Sequence, residues 1–323
     1  MSKAIRIHAV GGPEVLKWET VPTPQPGPGE ALIRHHAVGL NYIDVYFRTG
    51  LYKTALPATP GMEGAGTVLA VGAEVTDLKP GDRIVYAGGP VGAYATERVI
   101  SADRLVKLPD SIDFQTGAAM MLQGITAQYL LRRTFKVQKG QTILVHAAAG
   151  GVGLILCQWA KYLGVKVIGV VSTPEKAELV KENGADHAII GYANLAAEVK
   201  RITGGAMVPV VYDSVGKDTF SASLDCLAPL GLMVSYGSAS GPVPPFDLSM
   251  LTAKGSLFLT RPGLATYIAA RADLLQSAAD LFEVVEAGAV KIRVNQTFPL
   301  ADAAAAHIAL EARRTTGSTV LIP

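Results

Sequence analysis

The chain has 323 residues, of which 49% are hydrophobic and 17% are charged, and its formal net charge is +2. This composition argues against disorder, and the length accommodates two domains with ordinary buried cores. No segment is rich in Lys and Arg, so the sequence provides no surface suited to a nucleic-acid backbone, and any bound anion is expected to be small.

The cysteines and the N-terminus indicate the compartment. Cys157 and Cys226 are the only cysteines, and they form neither a Cys-x-x-Cys pair nor a metal-ligand spacing, so no disulfide framework or cysteine-built zinc lobe is expected. The first ten residues show no apolar core followed by a small-residue cleavage site, which argues against a secretory signal. We therefore expect a cytoplasmic protein. The uncharged stretch 142–160 is nearly long enough to span a membrane, but its Gly-Gly centre indicates a strand, a tight turn and a helix instead.

Residues 1–124 have the pattern of a β-rich domain. They are rich in Gly and Pro and contain short alternating runs, such as ALIRHHAVGL at 31–40 and GTVLAVG at 66–72. Such runs, bounded by turn residues, are typical of β-strands.

From residue 125 the pattern changes to apolar runs that alternate with helical segments, as in parallel βαβ units. Six parallel strands with crossover helices predict an α/β protein with a Rossmann doubly wound sheet over 125–262. The segment 263–323 contains a helical stretch to about Ala287, a strand, a short alanine-rich helix and a final strand, and we expect these last strands to return and complete the first domain. The six strands of the sheet are predicted at 142–147, 166–171, 187–191, 209–215, 232–237 and 256–261.

The segment HAAAGGVG at 146–153 has the features of a dinucleotide-binding turn. It follows a predicted strand and opens a predicted helix, and it matches Ala-x-Gly-x-x-Gly with Ala148 in place of the first glycine. Small residues let the backbone approach a pyrophosphate, and the helix N-terminus supplies N–H donors and a positive dipole end. A strand-to-helix turn without a ligand is the alternative. The predicted contacts are Gly150, Gly151, Val152 and Gly153.

The end of the next strand predicts which coenzyme binds. About 20 residues after the turn, where an acid would bind the ribose of NAD, the chain has Ser172. Ser172 and Thr173 can donate hydrogen bonds to a 2′-phosphate and Lys176 can supply charge, so the expected cofactor is NADPH. Tyr192, after the third strand, is expected near the same end of the cofactor. The alternatives are a solvated lysine and a tyrosine packed on a loop.

Five segments together resemble the medium-chain dehydrogenase/reductase superfamily, and more closely its crystallin-type NADPH:quinone oxidoreductases. The resemblance covers essentially the whole chain. It implies a GroES-like β-rich catalytic domain, a Rossmann domain, a cleft between them and a homodimer. The segments are GLNYIDVYFRTG (39–50), PGMEGAGTVLAVG (60–72), GDRIVY (81–86), HAAAGGVG (146–153) and TRPGL (260–264).

The zinc-dependent members of the superfamily carry ligands that this chain lacks. They have a cysteine in the segment corresponding to GLNYID and a histidine at the position of Met62, and they insert a four-cysteine lobe after the segment corresponding to GDRIVY. The resemblance therefore implies an enzyme without a metal. Glu63 remains, either as a carboxylate bonded inside the domain or as a catalytic group.

The expected reaction follows from the missing metal. Reduction of an ordinary ketone builds charge on an alkoxide, which a metal or a proton donor must stabilise, whereas a quinone spreads the added charge over a conjugated ring. We therefore predict NADPH-dependent reduction of a small-molecule quinone to the semiquinone or hydroquinone. The alternatives are an enone or enoyl reductase and, outside enzymes, a crystallin-like structural or RNA-binding protein. No membrane partner is expected, and a nucleic-acid partner is disfavoured.

The resemblance also implies further site residues. Asn41, Tyr46 and Tyr52 are candidates for positioning the substrate, with a turn-capping amide and aromatic packing as the alternatives, and no general acid is assigned. For Arg261 and Arg313, which are among the further cofactor contacts, the alternative is an ordinary surface position. The further cofactor contacts are Asn41, Asp44, Thr126, Tyr129, Ser214, Gly216, Gly237, Ser238, Phe258, Arg261 and Arg313.

Overall fold

The computed structural model describes all 323 residues, which fold into two compact units. Unit 1 comprises Met1–Ile125, Tyr267–Glu286 and Ile292–Pro323. Unit 2 comprises Thr126–Thr266 and Ala287–Lys291.

The elements alternate as the sequence pattern indicates. The strands are β1 (Ser2–Arg6), β2 (Lys17–Val21), β3 (Glu30–Leu40), β4 (Glu63–Val71), β5 (Arg83–Ala87), β6 (Glu97–Ser101), β7 (Val106–Lys107), β8 (Thr142–Val145), β9 (Lys166–Val171), β10 (His187–Ile190), β11 (Val208–Asp213), β12 (Leu227–Ser235), β13 (Phe258–Thr260), β14 (Val294–Pro299) and β15 (Ser318–Ile322). The α-helices are α1 (Tyr42–Thr49), α2 (Phe114–Tyr129), α3 (Gly151–Tyr162), α4 (Pro174–Glu182), α5 (Leu195–Ile202), α6 (Phe220–Asp225), α7 (Ser249–Ala253), α8 (Leu264–Tyr267), α9 (Arg271–Glu286) and α10 (Ala303–Glu311).

The main sheet of unit 1 is built around the long strand β3. Its order is β14-β15-β3-β4-β5-β7, and β6 also pairs with β3. The C-terminal strand β15 pairs antiparallel with β3, with Thr319 opposite Leu40. The buried side chains of Ile33 and Val38 show why this strand forms, because β-branched residues pack well on a pleated surface. As a result, the end of β3, just before Asn41, lies next to the C-terminal strand.

Unit 2 contains the predicted doubly wound sheet, and this fold class is confirmed. Its six strands are all parallel, in the order β10-β9-β8-β11-β12-β13. Strand β8 is completely buried at Ile143, Leu144 and Val145, as expected for a parallel strand covered on both faces. The strand order reverses between β8 and β11, and ligands of such sheets bind beside the carboxyl ends of the strands at that point.

The chain returns to unit 1 at Tyr267, whereas the predicted return segment begins at 263. Unit 2 continues to Thr266, and 287–291 also belong to it. The side chain of Gln158 explains this second piece, because its Nε2 donates to Lys291 O at 3.1 Å while its Oε1 accepts from Lys291 N at 2.8 Å. These two bonds fix the short piece to α3.

The apolar stretch 142–160 forms β8, a turn and α3, as predicted. None of the helices is both long enough and apolar enough to cross a membrane.

Candidate cofactor site and buried polar cluster

The glycine turn of unit 2, residues 146–153, has no room for a larger side chain at Gly153. Gly150 caps α3, which begins at Gly151. A Cβ on Gly153 would lie 2.5 Å from Ala147 O and 2.6 Å from Ala148 Cα, so only glycine fits there. The N–H groups of the first helical turn have no partner within the helix and therefore can bind phosphate oxygens. This turn therefore offers the N–H donors that a pyrophosphate binds.

Ser172 and Thr173 connect β9 to α4. Ser172 is exposed, and Thr173 caps the helix by accepting a hydrogen bond from Lys176 N at 3.3 Å. Gly191 N donates to Val171 O at 2.9 Å, which brings Tyr192 to the same edge of the sheet as Ser172. The structure thus brings the predicted 2′-phosphate residues to neighbouring strand ends.

An acidic residue that the sequence analysis missed lies in this segment. Glu175 is exposed in the first turn of α4, and a side-chain hydrogen bond with Thr173 is the main cause that lowers its pKa. The hydroxyl of Thr173 is therefore engaged locally. The letters STPEK contain this acid, but it lies beyond the strand end, where an acid that binds ribose is expected.

The predicted loop residues after β11 and β12 pack closely against each other. A Cβ on Gly237 would lie 2.5 Å from Ser214 O, and a Cβ on Gly216, whose φ is 92°, would lie 2.7 Å from Gly241 O. The backbones of the two loops are therefore in direct contact, which bulkier residues would prevent. Ser238 belongs to the same loop and is buried.

The structure places Arg261 and Phe258 differently from each other. Arg261 donates to Ser235 O at 2.9 Å, to Gly237 O at 3.0 Å and to the Ser238 hydroxyl at 3.1 Å, so its guanidinium holds the loop after β12. Phe258 begins the edge strand β13 and is 60% exposed. It does not join the loops that follow the carboxyl ends of the strands.

Thr126 and Tyr129 lie in the last turns of α2 and are both buried. The helix continues as a π-helical turn over Leu130–Thr134, and Tyr212 Oη, from β11, donates to Leu130 O at 2.9 Å. This bond ties the end of α2 to the sheet of unit 2.

In unit 1, Asn41 holds the turn between β3 and α1. Its backbone N–H donates to Asp44 Oδ2 at 2.9 Å, and its amide Nδ2 donates to Glu63 Oε2 at 2.6 Å. Its amide oxygen accepts from Gln123 Nε2 at 3.1 Å. Asn41 therefore links two buried carboxyl groups, a role that includes the predicted capping position.

Glu63 is bonded inside unit 1, as one of its two interpretations proposed. It is fully buried at the start of β4, and its Oε1 accepts from Leu122 N at 2.8 Å. Burial is the main cause that raises its pKa to about 8, because the charged form loses its hydration. Glu63 therefore keeps its proton to a higher pH than an exposed glutamate does.

Asp44 ends a chain of hydrogen bonds that no local sequence pattern indicates. Arg48 Nη1 can only donate, so it donates to His307 Nδ1 at 3.3 Å and the proton of this ring is on Nε2. His307 Nε2 therefore donates to Tyr94 Oη at 3.1 Å, and Tyr94 donates to Asp44 Oδ2 at 3.1 Å. Two bonds from Arg48 to the Glu311 carboxylate, at 2.6 and 3.0 Å, hold the other end.

Burial is the main cause of the pKa shifts of Asp44 and His307 in this series of hydrogen bonds. Asp44 is fully buried and its Oδ1 has no hydrogen-bond partner, so desolvation raises its pKa to about 7. Desolvation, and then the charge of Arg48, lower the pKa of His307 to about 3, so its ring stays neutral. Asp44 is thus a carboxyl group that titrates near neutral pH.

The tyrosines form an aromatic cluster along α1 and the loop that follows. The ring centroids of Tyr42 and Tyr46 are 5.6 Å apart, and those of Tyr46 and Tyr52 are 5.2 Å apart. Tyr46 is buried, whereas Tyr52 is 36% exposed. Burial, and then the charge of Glu311, raise the pKa of Tyr42, and the charge of Arg313, which is exposed after α10, partly offsets this increase. The three rings pack together, and Tyr52 is the most exposed of them.

The chain shares both domains and their full length with known proteins. Residues 27–110 match the family described as alcohol dehydrogenase GroES-like domain, and residues 151–272 match that described as zinc-binding dehydrogenase. The chain is 54% identical to the quinone oxidoreductase of Pseudomonas aeruginosa, with 100% of both chains covered. The chain belongs to the quinone oxidoreductase family of the medium-chain dehydrogenase/reductase superfamily. The predicted resemblance is thereby confirmed, and with it the assignment to the oxidoreductases.

Two further relatives are informative about ligands and substrates. A crystal structure of Escherichia coli quinone oxidoreductase complexed with NADPH superposes with a TM-score of 0.98 at 46% identity, and 100% of both chains is covered. A 2-haloacrylate reductase of Burkholderia sp is 44% identical, covering 100% of this chain and 99% of that protein. The same family therefore includes proteins named for two kinds of acceptor.

One of the matched family descriptions names zinc, but the donors in this chain do not fit that metal. The segment of Asn41 has no cysteine, Met62 offers a thioether, and both oxygens of Glu63 already accept hydrogen bonds. No group of three or more His, Cys, Asp or Glu side chains is arranged to hold a metal ion.

Proposed function

We propose that this member of the family reduces quinones with NADPH and does so without a metal. The observation that carries the proposal is in unit 2, where a glycine turn opens α3 and Ser172, Thr173 and Lys176 replace the acidic residue at the end of β9. The Escherichia coli relative that was crystallised with NADPH and the Pseudomonas aeruginosa quinone oxidoreductase support it.

In this proposal, different segments of unit 2 bind different groups of the cofactor. Gly150, Gly151, Val152 and Gly153 bind the pyrophosphate through backbone N–H groups and the dipole of α3. Ser172, Thr173, Lys176 and Tyr192 surround the 2′-phosphate. The remaining contacts are Thr126, Tyr129, Ser214, Gly216, Gly237 and Ser238, and Arg261 contributes by holding the loop that contains the last two.

Unit 1 supplies the substrate residues of the proposal. Asn41 and Asp44 form a rigid polar turn, and Tyr46 and Tyr52 offer aromatic faces to a planar ring. NADPH, when bound, supplies the hydride. The chain contributes orientation, because a quinone spreads the added charge over its conjugated ring and so requires less stabilisation than an alkoxide.

The test is stopped-flow oxidation of NADPH and NADH with 1,4-benzoquinone and with 9,10-phenanthrenequinone. We expect turnover of both quinones and tighter binding of NADPH than of NADH. Tighter binding of NADH, or stoichiometric zinc found by elemental analysis of the active protein, would contradict the proposal.

Reduction of an activated C=C bond is the second candidate, and the 44% identity to a 2-haloacrylate reductase favours it. The conjugated acceptor again delocalises the added charge. The same assay with 2-chloroacrylate and a 2-alkenal separates the candidates, because turnover of the alkenes without turnover of quinones would replace the leading proposal with this one.

We also propose a homodimer that forms through the edge of the unit 2 sheet. Strand β13 is unpaired on one side, and its apolar residues Phe258 and Leu259 are 60% and 37% exposed. An exposed apolar edge strand is a template for pairing with another strand, here that of a second copy. Light scattering should give a dimer for the natural chain and a monomer for Leu259→Lys. The expected cytoplasmic location stays a prediction.

A further inference from the structure

Asp213 is a completely buried carboxylate at the end of β11 whose acceptor sites are filled by one short stretch of chain. Its Oδ1 accepts from Val215 N at 2.7 Å and from Gly216 N at 3.1 Å. Its Oδ2 accepts from the hydroxyls of Thr219, at 2.7 Å, and Ser223, at 2.8 Å. These bonds set the shape of the turn after β11 and the start of α6.

The network continues to His146, the first residue of the glycine turn. The hydroxyl proton of Ser223 is donated to Asp213, so Ser223 Oγ accepts the bond from His146 Nε2 at 2.9 Å. The backbone N–H of His146 donates to Tyr212 O at 2.9 Å. His146 therefore connects β8 to β11 twice, once through the backbone and once through Asp213.

The same turn fixes the loop after β12. Tyr236 N donates to Asp213 O at 2.8 Å, and Ala239 N donates to Ser214 O at 3.1 Å. Gly237 lies so close to Ser214 O that there is no space for a side chain between the two loops. Three segments with proposed cofactor contacts thus meet at one residue that has none of its own.

We propose that Asp213 is a positioning residue that sets the spacing of the glycine turn, the 214–216 turn and the 237–241 loop for the dinucleotide. This inference rests on the proposed function. Because Asp213 acts on spacing and the 2′-phosphate residues follow other strands, it contributes equally to the binding of NADPH and NADH.

The experiment compares Asp213→Asn with Asp218→Asn, which removes the same charge from an exposed position of the same segment. An amide at 213 can still accept from Val215 and Gly216, but its NH₂ group faces two hydroxyls that now donate toward it. We expect titration calorimetry to show affinities for NADPH and NADH both about tenfold lower for Asp213→Asn, with their ratio unchanged, and no change for Asp218→Asn.

Ser223→Ala is a second variant, which removes one of the four hydrogen bonds to Asp213 together with the link to His146, and it should weaken the binding of both coenzymes by a smaller factor. The KM for NADPH should rise in both variants while the KM for the quinone stays constant. A purely structural role would lower the melting temperature of Asp213→Asn without changing coenzyme affinity at 25 °C, and that result would overturn the inference.

The outcome for the natural chain separates this inference from the proposed function. If the natural chain prefers NADH, the coenzyme proposal fails, while parallel losses of NADPH and NADH affinity in Asp213→Asn would still support the positioning role. If the natural chain binds neither coenzyme, both proposals are wrong.

Discussion

Asp213 in unit 2 and Asp44 in unit 1 are both fully buried carboxyl groups, but they differ in their hydrogen bonds. The side chain of Asp213 accepts four, two from backbone N–H groups and two from hydroxyls. The side chain of Asp44 accepts two, both on Oδ2. The difference comes from their places in the fold. A carboxylate at the end of a parallel strand meets the N–H groups of its own turn and the hydroxyls of the next helix. Asp44 lies in the first turn of α1, where it accepts from the nearby Asn41 N–H and from only one distant donor, the Tyr94 hydroxyl.

The comparison explains how the two units divide the proposed work. Unit 2 builds a stiff frame in which glycines and a fully bonded carboxylate fix the loops. Unit 1 holds two carboxyl groups, Asp44 and Glu63, whose pKa values burial raises to about 7 and about 8. Coenzyme binding by unit 2 should therefore be sensitive to substitutions that displace these loops, and the stability of unit 1 should depend on pH.

The largest expected effect tests the stiffness of the frame. Gly153→Ala places a Cβ 2.5 Å from Ala147 O, so the glycine turn must move. We expect NADPH affinity to fall by about a hundredfold, measured by calorimetry, because interiors this close-packed adapt poorly. Gly263→Ala, where a Cβ meets nothing within 4 Å, is the matched control. Equal affinity of both variants for NADPH would show that the turn is adaptable.

The pH dependence of stability tests the cluster of unit 1. Burial raises the folded-state pKa values of Asp44 and Glu63, so these groups favour the folded state below their unfolded pKa values, and the contribution is lost as pH rises to about 7 and about 8. The melting temperature should therefore fall between pH 5 and about pH 8. Asp44→Asn should flatten this slope by raising stability at the alkaline end. An identical slope in the variant and the natural chain would show that Asp44 does not titrate in this range.

A moderate effect is expected at the 2′-phosphate. Lys176→Ala removes a cation from α4 and should lower NADPH affinity about tenfold while leaving NADH affinity unchanged. The control is Lys181→Ala on the same helix, where the lysine pairs with Glu178 at 2.9 Å. Equal losses of NADPH and NADH affinity would show that Lys176 supports the loops and does not select between the two coenzymes.

The smallest effect concerns Glu175, the acid next to that lysine. Glu175→Gln removes a negative charge near the proposed 2′-phosphate, so NADPH affinity should rise about two- to threefold at low salt, and the gain should shrink at high salt because the group is exposed. Glu178→Gln is the control. A gain that persists in molar salt would point to a change of shape instead of charge.

The sequence alone predicted those features whose signal is local. Apolar runs with a regular period indicated the six strands of unit 2, and the spacing in HAAAGGVG indicated a turn that the structure shows at 146–149, directly before Gly150 caps α3. It also indicated hydroxyl groups and a lysine at 172–176. Each of these signals lies within a few residues, where the backbone conformation depends mainly on neighbours in the chain.

The tertiary structure decided which polar groups meet. His146 and Ser223 are 77 positions apart, and Arg48 and His307 are 259 positions apart, so no periodicity relates them. Asp213 is fully bonded by donors that lie within the next ten positions, whereas Asp44 accepts one of its bonds from Tyr94, 50 positions away, and keeps one oxygen without a partner. Hydrogen bonding and desolvation act through space, and for that reason the pKa values and the rigidity of these sites were set only when the chain had folded.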